Sequence, residues 1–326
     1  MLLSICILFC DKDYKYIPNL LENIKKNVQV DYEVVLIDNR KDKSETLNFS
    51  NARIFSCDKL GQFNGRRMAI SKALGDYIWF VDADDTINKV PSYFRDEMSQ
   101  FYDIIAFNAH DSFGDWTGTW PTRKPEDRDK IFHNSNLLTF EMETLVGPCV
   151  WNKFFKRDVL LPAVDLEDEY LTYNEDSLFN MIALKHSTTI RTLDVDLYNY
   201  NSEISQAACK RLDDFSKFEN LISSGLNLFK IREKLFTGKD KDETDKWIPK
   251  PLCIQFFNHR IYHSVPELQE REMKLLCDTY GAQNVLDAIY KHAICEIQKE
   301  KETREEIVNF LVKLCEILQR FSTICV

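Results

Sequence analysis

A chain of 326 residues is longer than a typical single domain, and one large α/β unit with a smaller appendage is the natural expectation. A hydrophobic fraction of 44% and an aromatic fraction of 12% exclude general disorder. Forty-two basic against fifty-two acidic residues leave a formal charge of −10, which disfavours phosphate-driven wrapping of nucleic acid and docking on anionic membranes.

The opening MLLSICILFC lacks a basic start and a small-residue cleavage site, so it reads as a core strand rather than a signal peptide. No apolar run approaches the roughly 20 residues of a membrane span. Ten scattered cysteines without a CxxC pair read as reduced, mostly buried thiols. A soluble, cytoplasmic protein is expected.

In chain order, Leu2–Phe9, Tyr32–Ile37, Ala52–Phe55 and Tyr77–Val81 are short apolar runs with the texture of strands. Tyr16–Asn27 and Gly65–Leu74 between them carry helical patterns. The alternation predicts an α/β fold with a mainly parallel sheet flanked by helices, whose ligands collect at the carboxyl ends of strands. Ile104–Asn108 is a further strand. The polar, aromatic segment after it predicts irregular loops with a hairpin, in which Trp116 and Trp120 serve packing or stack on sugar. A helix near Asn174–His186 and a strand near Thr188–Tyr198 follow. Beyond them the chain turns helical, with Thr237–Lys246 as a solvated linker. Ile307, Leu311, Leu314, Leu318 and Phe321 form an amphipathic stripe that needs a partner surface.

The chemistry gathers at Gly75–Ile87, GDYIWFVDADDTI, where an apolar strand ends in Asp82, Asp84 and Asp85. Two carboxylates one residue apart at a strand end can face one opening and form half of a site for a hard divalent cation such as Mn²⁺ or Mg²⁺. The plainer alternative is capping of a helix beginning near Pro91 by Asp84 or Asp85.

Six segments in order carry a resemblance. GRRMAISKALGDYIWFVDADD, Gly65–Asp85, resembles the ARNxGIxxAxGxYIxFLDxDD pattern of family-2-type glycosyltransferases. SICILFCDKDYKYIPNLLENI is similar to their first strand and helix, with Cys10 and Asp11 where Tyr and Asn are usual. DYEVVLIDNRKDKS resembles DFEIIVVDDGSxDxS, VWNKFFKRDVL resembles WNKLYRRELL, NEDSLFN resembles xEDxxF, and LYNYNSEIS resembles LYxYRxxxxS. Together they run from Met1 to about Ser205.

The resemblance implies the A-type nucleotide-diphospho-sugar transferase fold over residues 1–207. Residues 208–326, which it does not cover, are then a C-terminal helical domain for acceptor binding or oligomerisation. It implies a metal-dependent, inverting transfer from a nucleotide-diphosphate sugar, such as a UDP-sugar, to an acceptor hydroxyl on a glycan. Asp84 would ligate Mn²⁺ or Mg²⁺, and Asp82 would contact the ribose or the metal through water. Asp38 and Asn39 match the pair that holds the nucleobase, with Asn in place of the second Asp. Arg66 matches a family Arg that suits diphosphate, and Arg67 is a second cation beside it. Asp176, in the ED pair with Glu175, would be the general base if its pocket raises its proton affinity. For Asn174, Glu175 and Asp176 the alternative is simply the N-terminus of a helix, with Asn174 as its cap. Trp151, Asn152 and Lys153 would position the acceptor, while Phe154 and Phe155 belong to the core.

LYNYNSEIS lacks the Arg and His of many relatives, so no third metal ligand is identifiable. His259 and His263 share a helical face and could pair on zinc, although no third ligand lies nearby. Rival readings are a transferase that has lost activity and only binds nucleotide sugars, transfer onto a protein or onto a hydroxylated base of phage DNA, and a nucleotidyltransferase. The last would carry a glycine-rich basic loop after its first strand, which FCDKDYKYI lacks.

Overall fold

Strand β1 (Leu3–Phe9) is buried along almost its whole length, as a strand covered on both faces must be. In the computed structural model, residues 1–43, 47–59, 61–111, 119–166, 171, 174–201, 215–247, 266–285, 287, 309, 312, 313 and 316 are described. β1 pairs in parallel with β2 (Tyr32–Asp38) on one side and β4 (Tyr77–Asp82) on the other, and β2 pairs in parallel with β3 (Arg53–Ser56). The sheet order is β3-β2-β1-β4-β9-β6-β10-β5, with β9 at Lys153–Lys156, β6 at Ile104–Asp111, β10 at Thr189–Tyr200 and β5 at Thr86–Ile87. Strand order therefore reverses at β1 and β4, and the crevice outside their carboxyl ends is the natural ligand position. Register brings Asp38 opposite Phe9 and Asp82 opposite Leu8, so the two acids flank the end of β1.

Helix α1 (Ile17–Asn27) opens with Pro18 in its first turn and ends with Lys25 and Lys26, which suit the two ends of the helix dipole. Its Ile17, Leu20 and Ile24 face the core. Helix α2 (Gln62–Lys72) follows Gly61, whose φ of 107° only glycine adopts easily. At Gly75 an added Cβ would lie 2.7 Å from the Leu2 carbonyl oxygen, so the approach of this turn to β1 requires glycine.

Several elements differ from the sequence expectation. Strand β9 (Lys153–Lys156) inserts antiparallel between β4 and β6 (Ile104–Asp111), so Phe154 and Phe155 are core residues of a strand not anticipated. β10 (Thr189–Tyr200) continues past Tyr198 and pairs antiparallel with the short β5 (Thr86–Ile87) that follows the acidic turn. The strip β7 (Thr119–Trp120) pairs antiparallel with β6, and β8 (Ile131–His133) with β10. Helix α3 (Phe94–Ser99) starts three residues after Pro91 without a side-chain cap, so neither Asp84 nor Asp85 caps it. Helices α4 (Phe140–Val146), α5 (Arg157–Leu160) and α6 (Glu175–Lys185) complete the layer.

The chain divides into two compact units, Met1–Ser205 with Leu235–Thr244, and Gln206–Lys234 with Asp245–Val326. The second contains α7 (Phe215–Leu235), which buries Phe218, Leu221, Ile222, Leu228 and Phe229, and a later helix, α9 (Pro266–Tyr280), which buries Met273, Leu276 and Cys277. In the chain between these two comes α8 (Lys239–Trp247), whose residues up to Thr244 belong to the first unit, and it corrects the expectation of a solvated linker. Asp240 and Asp242 in its first turn and Lys246 in its last favour the helix dipole. Asp240 pairs with Lys185, and Glu243 accepts from the Phe140 backbone N–H. Trp116, His259, His263 and the stripe from Ile307 to Phe321 lie outside the described residues, as does the side chain of Trp120.

Candidate active site

Arg66 lies on the core side of α2 with only 4% of its side chain exposed, and three carboxylates surround it. One guanidinium nitrogen donates to Glu175 at 2.9 Å and to Asp176 at 2.5 Å, and another donates to Asp82 at 3.3 Å. Asp82 comes from the end of β4 and the two others from the first turn of α6, so motifs 94 residues apart (176 − 82) meet on one cation. Burial works against the charge of Arg66, and Asp176, Asp82 and Glu175 overcome it and hold the group protonated. Three acids against one base leave the cluster with surplus negative charge.

The three acids are not equally accessible. Glu175 is 8% exposed, Asp176 24% and Asp82 34%, so Asp176 and Asp82 reach solvent while Glu175 is buried beside Arg66. Burial pushes the Asp82 carboxyl up to about 6, with Asp176 and Asp84 adding to the rise and Arg66 opposing it. Burial also pushes Glu175 up to about 7, assisted by the charge of Asp176. Asp84 is raised too, chiefly by burial. Asn174, the alternative cap, makes no side-chain cap; it takes the left-handed φ of 57° that turns the chain into α6, a conformation Asn tolerates better than most residues.

Asp85 has a different surrounding from its two neighbours. It is buried, and its carboxylate accepts from the Tyr198 hydroxyl at 2.5 Å and from the Asn201 backbone N–H at 2.8 Å. The Tyr198 hydroxyl in turn accepts from the Asp82 backbone N–H. The acidic turn is thereby tied to β10. Tyr198 also stacks on Trp151, with ring centroids 4.7 Å apart and planes 10° from parallel, and Tyr200 stacks on the same indole. The Trp151 carbonyl accepts from the Trp79 indole N–H.

On the β2 side, both oxygens of Asp38 are taken by Arg40, through Nε at 2.9 Å and Nη2 at 3.0 Å, and the guanidinium rests over the Tyr14 ring. The Asn39 amide donates to the Cys57 and Lys59 carbonyls and accepts from the Gly61 N–H, so it shapes the loop before α2. Arg67 points away from Arg66 and donates to the carbonyls of Ala163, Val164 and Leu166. Asn152 and Lys153 are fully buried, and Lys153 donates to the Gly147 and Cys149 carbonyls and to the Asn152 amide oxygen. Of the three residues expected to contact an acceptor, only Trp151 retains any exposure. Arg40, Tyr198 and Asn180 were missed as site residues. Arg40 could have been flagged as a charge directly after the Asp-Asn pair, and Asn180 as the residue four positions after Asp176 on one helical face.

Among the described residues no group of three or more His, Cys, Asp and Glu is arranged to hold a metal ion, and no helix is long and apolar enough to cross a membrane.

Residues 4–161 match the sequence model of Glycosyl transferase family 2. The uncharacterized glycosyltransferase EpsJ of Bacillus subtilis (strain 168) is 25% identical over 202 residues, a stretch covering 57% of this chain and 57% of that protein. The match thus spans little more than half the length of that relative. Among solved structures, S. aureus TarS 1-349 is similar with a TM-score of 0.51 at 18% identity, and the same fragment in complex with UDP-GlcNAc with 0.55 at 19%. Each comparison covers 93% of both chains. At such identity the likeness concerns the fold.

Replacing Tyr198 by Phe removes one hydroxyl from beneath the acidic turn. It leaves a buried carboxylate oxygen of Asp85 and the Asp82 N–H without that partner, so Y198F should lose about 1–3 kcal/mol of stability in urea unfolding. Unchanged stability would mean that the turn is held by other contacts.

Proposed function

We propose that the chain, whose residues 4–161 carry the glycosyl transferase family 2 pattern, is a transferase of that family that moves a sugar from a nucleotide-diphosphate sugar to an acceptor hydroxyl with inversion. The observation that carries the reading is the convergence of Asp82 and Asp176 on Arg66 at the carboxyl ends of the parallel strands. In this reading the donor lies across the ends of β1, β2 and β4, with Asp38, Asn39 and Asp82 on the nucleoside side. UDP-GlcNAc, the ligand of one TarS structure, is the first donor to try. A glycan is the acceptor favoured here.

The accessible Asp176 carboxylate takes the proton from the acceptor hydroxyl as its oxygen bonds to the anomeric carbon. The nucleoside diphosphate departs from the opposite side with the electron pair of the broken bond. Arg66 keeps Asp176 in place; so engaged, it is a holder of carboxylates rather than a free grip for diphosphate. Loss of a general base typically lowers rate by about 10²–10⁴-fold. Asp176→Asn should therefore lose transfer by that factor in a donor-consumption assay while retaining donor binding in calorimetry; near-normal turnover would end the assignment.

Asp84 and Asp82 fit a hard divalent cation. Both offer oxygen ligands, Asp84 adds to the repulsion on Asp82, and burial disfavours the charge of each, a cost that a cation would relieve. Two carboxylates with water and diphosphate oxygens make a sufficient shell for Mn²⁺ or Mg²⁺. A bound ion would neutralise the leaving diphosphate. Because the folded-state pKa of Asp82 is raised to about 6, its contribution to stability is present at low pH and lost as pH rises through 6. Mn²⁺ requires the ionised form, so its thermal stabilisation should be larger near neutrality than below the pKa of Asp82. In Asp84→Ala the Mn²⁺ shift should vanish, together with Mn²⁺-dependent donor binding. A shift of equal size in the variant and the parent would exclude Asp84 as a ligand.

Residues 208–326 are assigned to acceptor binding or self-association, since the donor-side residues named above all precede them. Sedimentation of the full chain distinguishes the two: a dimer is expected for self-association, and a monomer leaves acceptor binding.

A further inference from the structure

The segment Gly147–Cys149 has no regular structure, yet buried side chains grip it from two sides. From β9, the Lys153 ammonium donates to the carbonyls of Gly147 and Cys149. From α6, the Asn180 amide nitrogen donates to Pro148 at 2.6 Å and lies within 3.4 Å of the Gly147 and Cys149 carbonyl oxygens. Lys153 is wholly buried and Asn180 is 1% exposed. Gly147 adopts a φ of 81°, and the Asn152 amide donates to the Val146 carbonyl at the near end of the segment. Cys149 is half-buried; burial raises its thiol pKa and the charge of Asp176 adds to the rise, while Lys153 opposes it.

Asn180 is four residues after Asp176 and so shares its face of α6. A buried ammonium with neutral partners costs folding free energy, and burial lowers the Lys153 pKa to about 7. An apolar residue would fill the same space without that cost. What the ammonium supplies instead is several donors aimed at carbonyls of the connection from α4 to β9. We propose that Lys153 and Asn180 are positioning residues, which fasten Gly147–Cys149 between β9 and α6 and thereby hold the Asp176 carboxylate in register with the acceptor hydroxyl. This rests on the transferase reading above and extends it to two residues that do not touch substrate.

The test uses the whole 326-residue chain with Lys153→Met, which keeps length and removes the donors, with Asn180→Ala, and with both changes together. Displacement of a catalytic group by about 1 Å can cost roughly 10²-fold in rate, so kcat should fall about 10–10²-fold in each single variant. The KM for donor should stay within about twofold, because the donor side of the crevice is not held by this segment. The two substitutions release the same segment, so the double variant should be little worse than the poorer single one. Alkylation of Cys149 by iodoacetamide, followed by mass spectrometry, should be about tenfold faster in the variants as local opening becomes easier.

Normal kcat with a more reactive Cys149 would overturn the proposal, as would fully additive losses, a parallel rise in donor KM, or an unchanged alkylation rate. If Lys153→Met does not fold, Asn180→Ala alone is held to the same outcomes. Alkylation reads the clamp without turnover, so absence of transfer by the unsubstituted protein would strike the transferase reading and not the clamp.

Discussion

Removing a guanidinium from water is expensive unless charged partners and good hydrogen-bond geometry compensate, and Arg66 is nearly as buried as any core leucine of this protein. Its partners come from the end of β4 and the start of α6 while Arg66 itself belongs to α2. Three elements that are distant in sequence are therefore fixed to one another by a charge that cannot be left unpaired. The same arrangement sets the electrostatics of the crevice. Because the acids outnumber the base, they repel one another, and the protein holds this repulsion in place with packing elsewhere. A cation or a proton relieves it.

Much of that holding is done by polar groups placed against irregular backbone. The acidic turn is tied down by Tyr198 through Asp85, and the loop before α2 by Asn39. The 163–166 turn is tied down by Arg67. Each of these connections gives a segment without helix or sheet hydrogen bonds a defined shape, which a crevice at strand ends requires. Aromatic packing supports the same region: Trp79 contacts Phe107 and Phe154 and donates to the Trp151 carbonyl, and Trp151 stacks on Tyr198.

The β2 end shows how a departure from a family pattern acquires physical meaning. Asp38 occupies the position that the resemblance assigns to nucleobase recognition, yet Arg40 takes both of its oxygens. The glycine of the family's DDGS is replaced here by that arginine. What this strand end presents is therefore a buried ion pair resting on Tyr14 rather than a bare carboxylate.

The parallel core was legible because buried strands such as Leu3–Phe9 and Tyr77–Asp82 are continuous apolar runs, and a run that ends in acids marks its own carboxyl end. Asp82, Asp84 and Asp85 were legible for the same reason, whereas Asp176 and Glu175 stood out only through the resemblance. The sequence alone, however, could not show that KFFK forms an antiparallel strand between β4 and β6, since four residues carry too little periodicity. Nor could charge composition show that the DKDETDK stretch is helical, because that depends on contacts such as Asp240 with Lys185 across 55 residues. The roles of Arg66, Arg67, Asn152 and Lys153 were likewise open. A polar side chain beside a motif can face a ligand, a carbonyl or a counter-charge, and neighbours distant in sequence decide which. Local sequence determined which residues could do chemistry here, while tertiary structure decided which of them face the crevice and which hold it open.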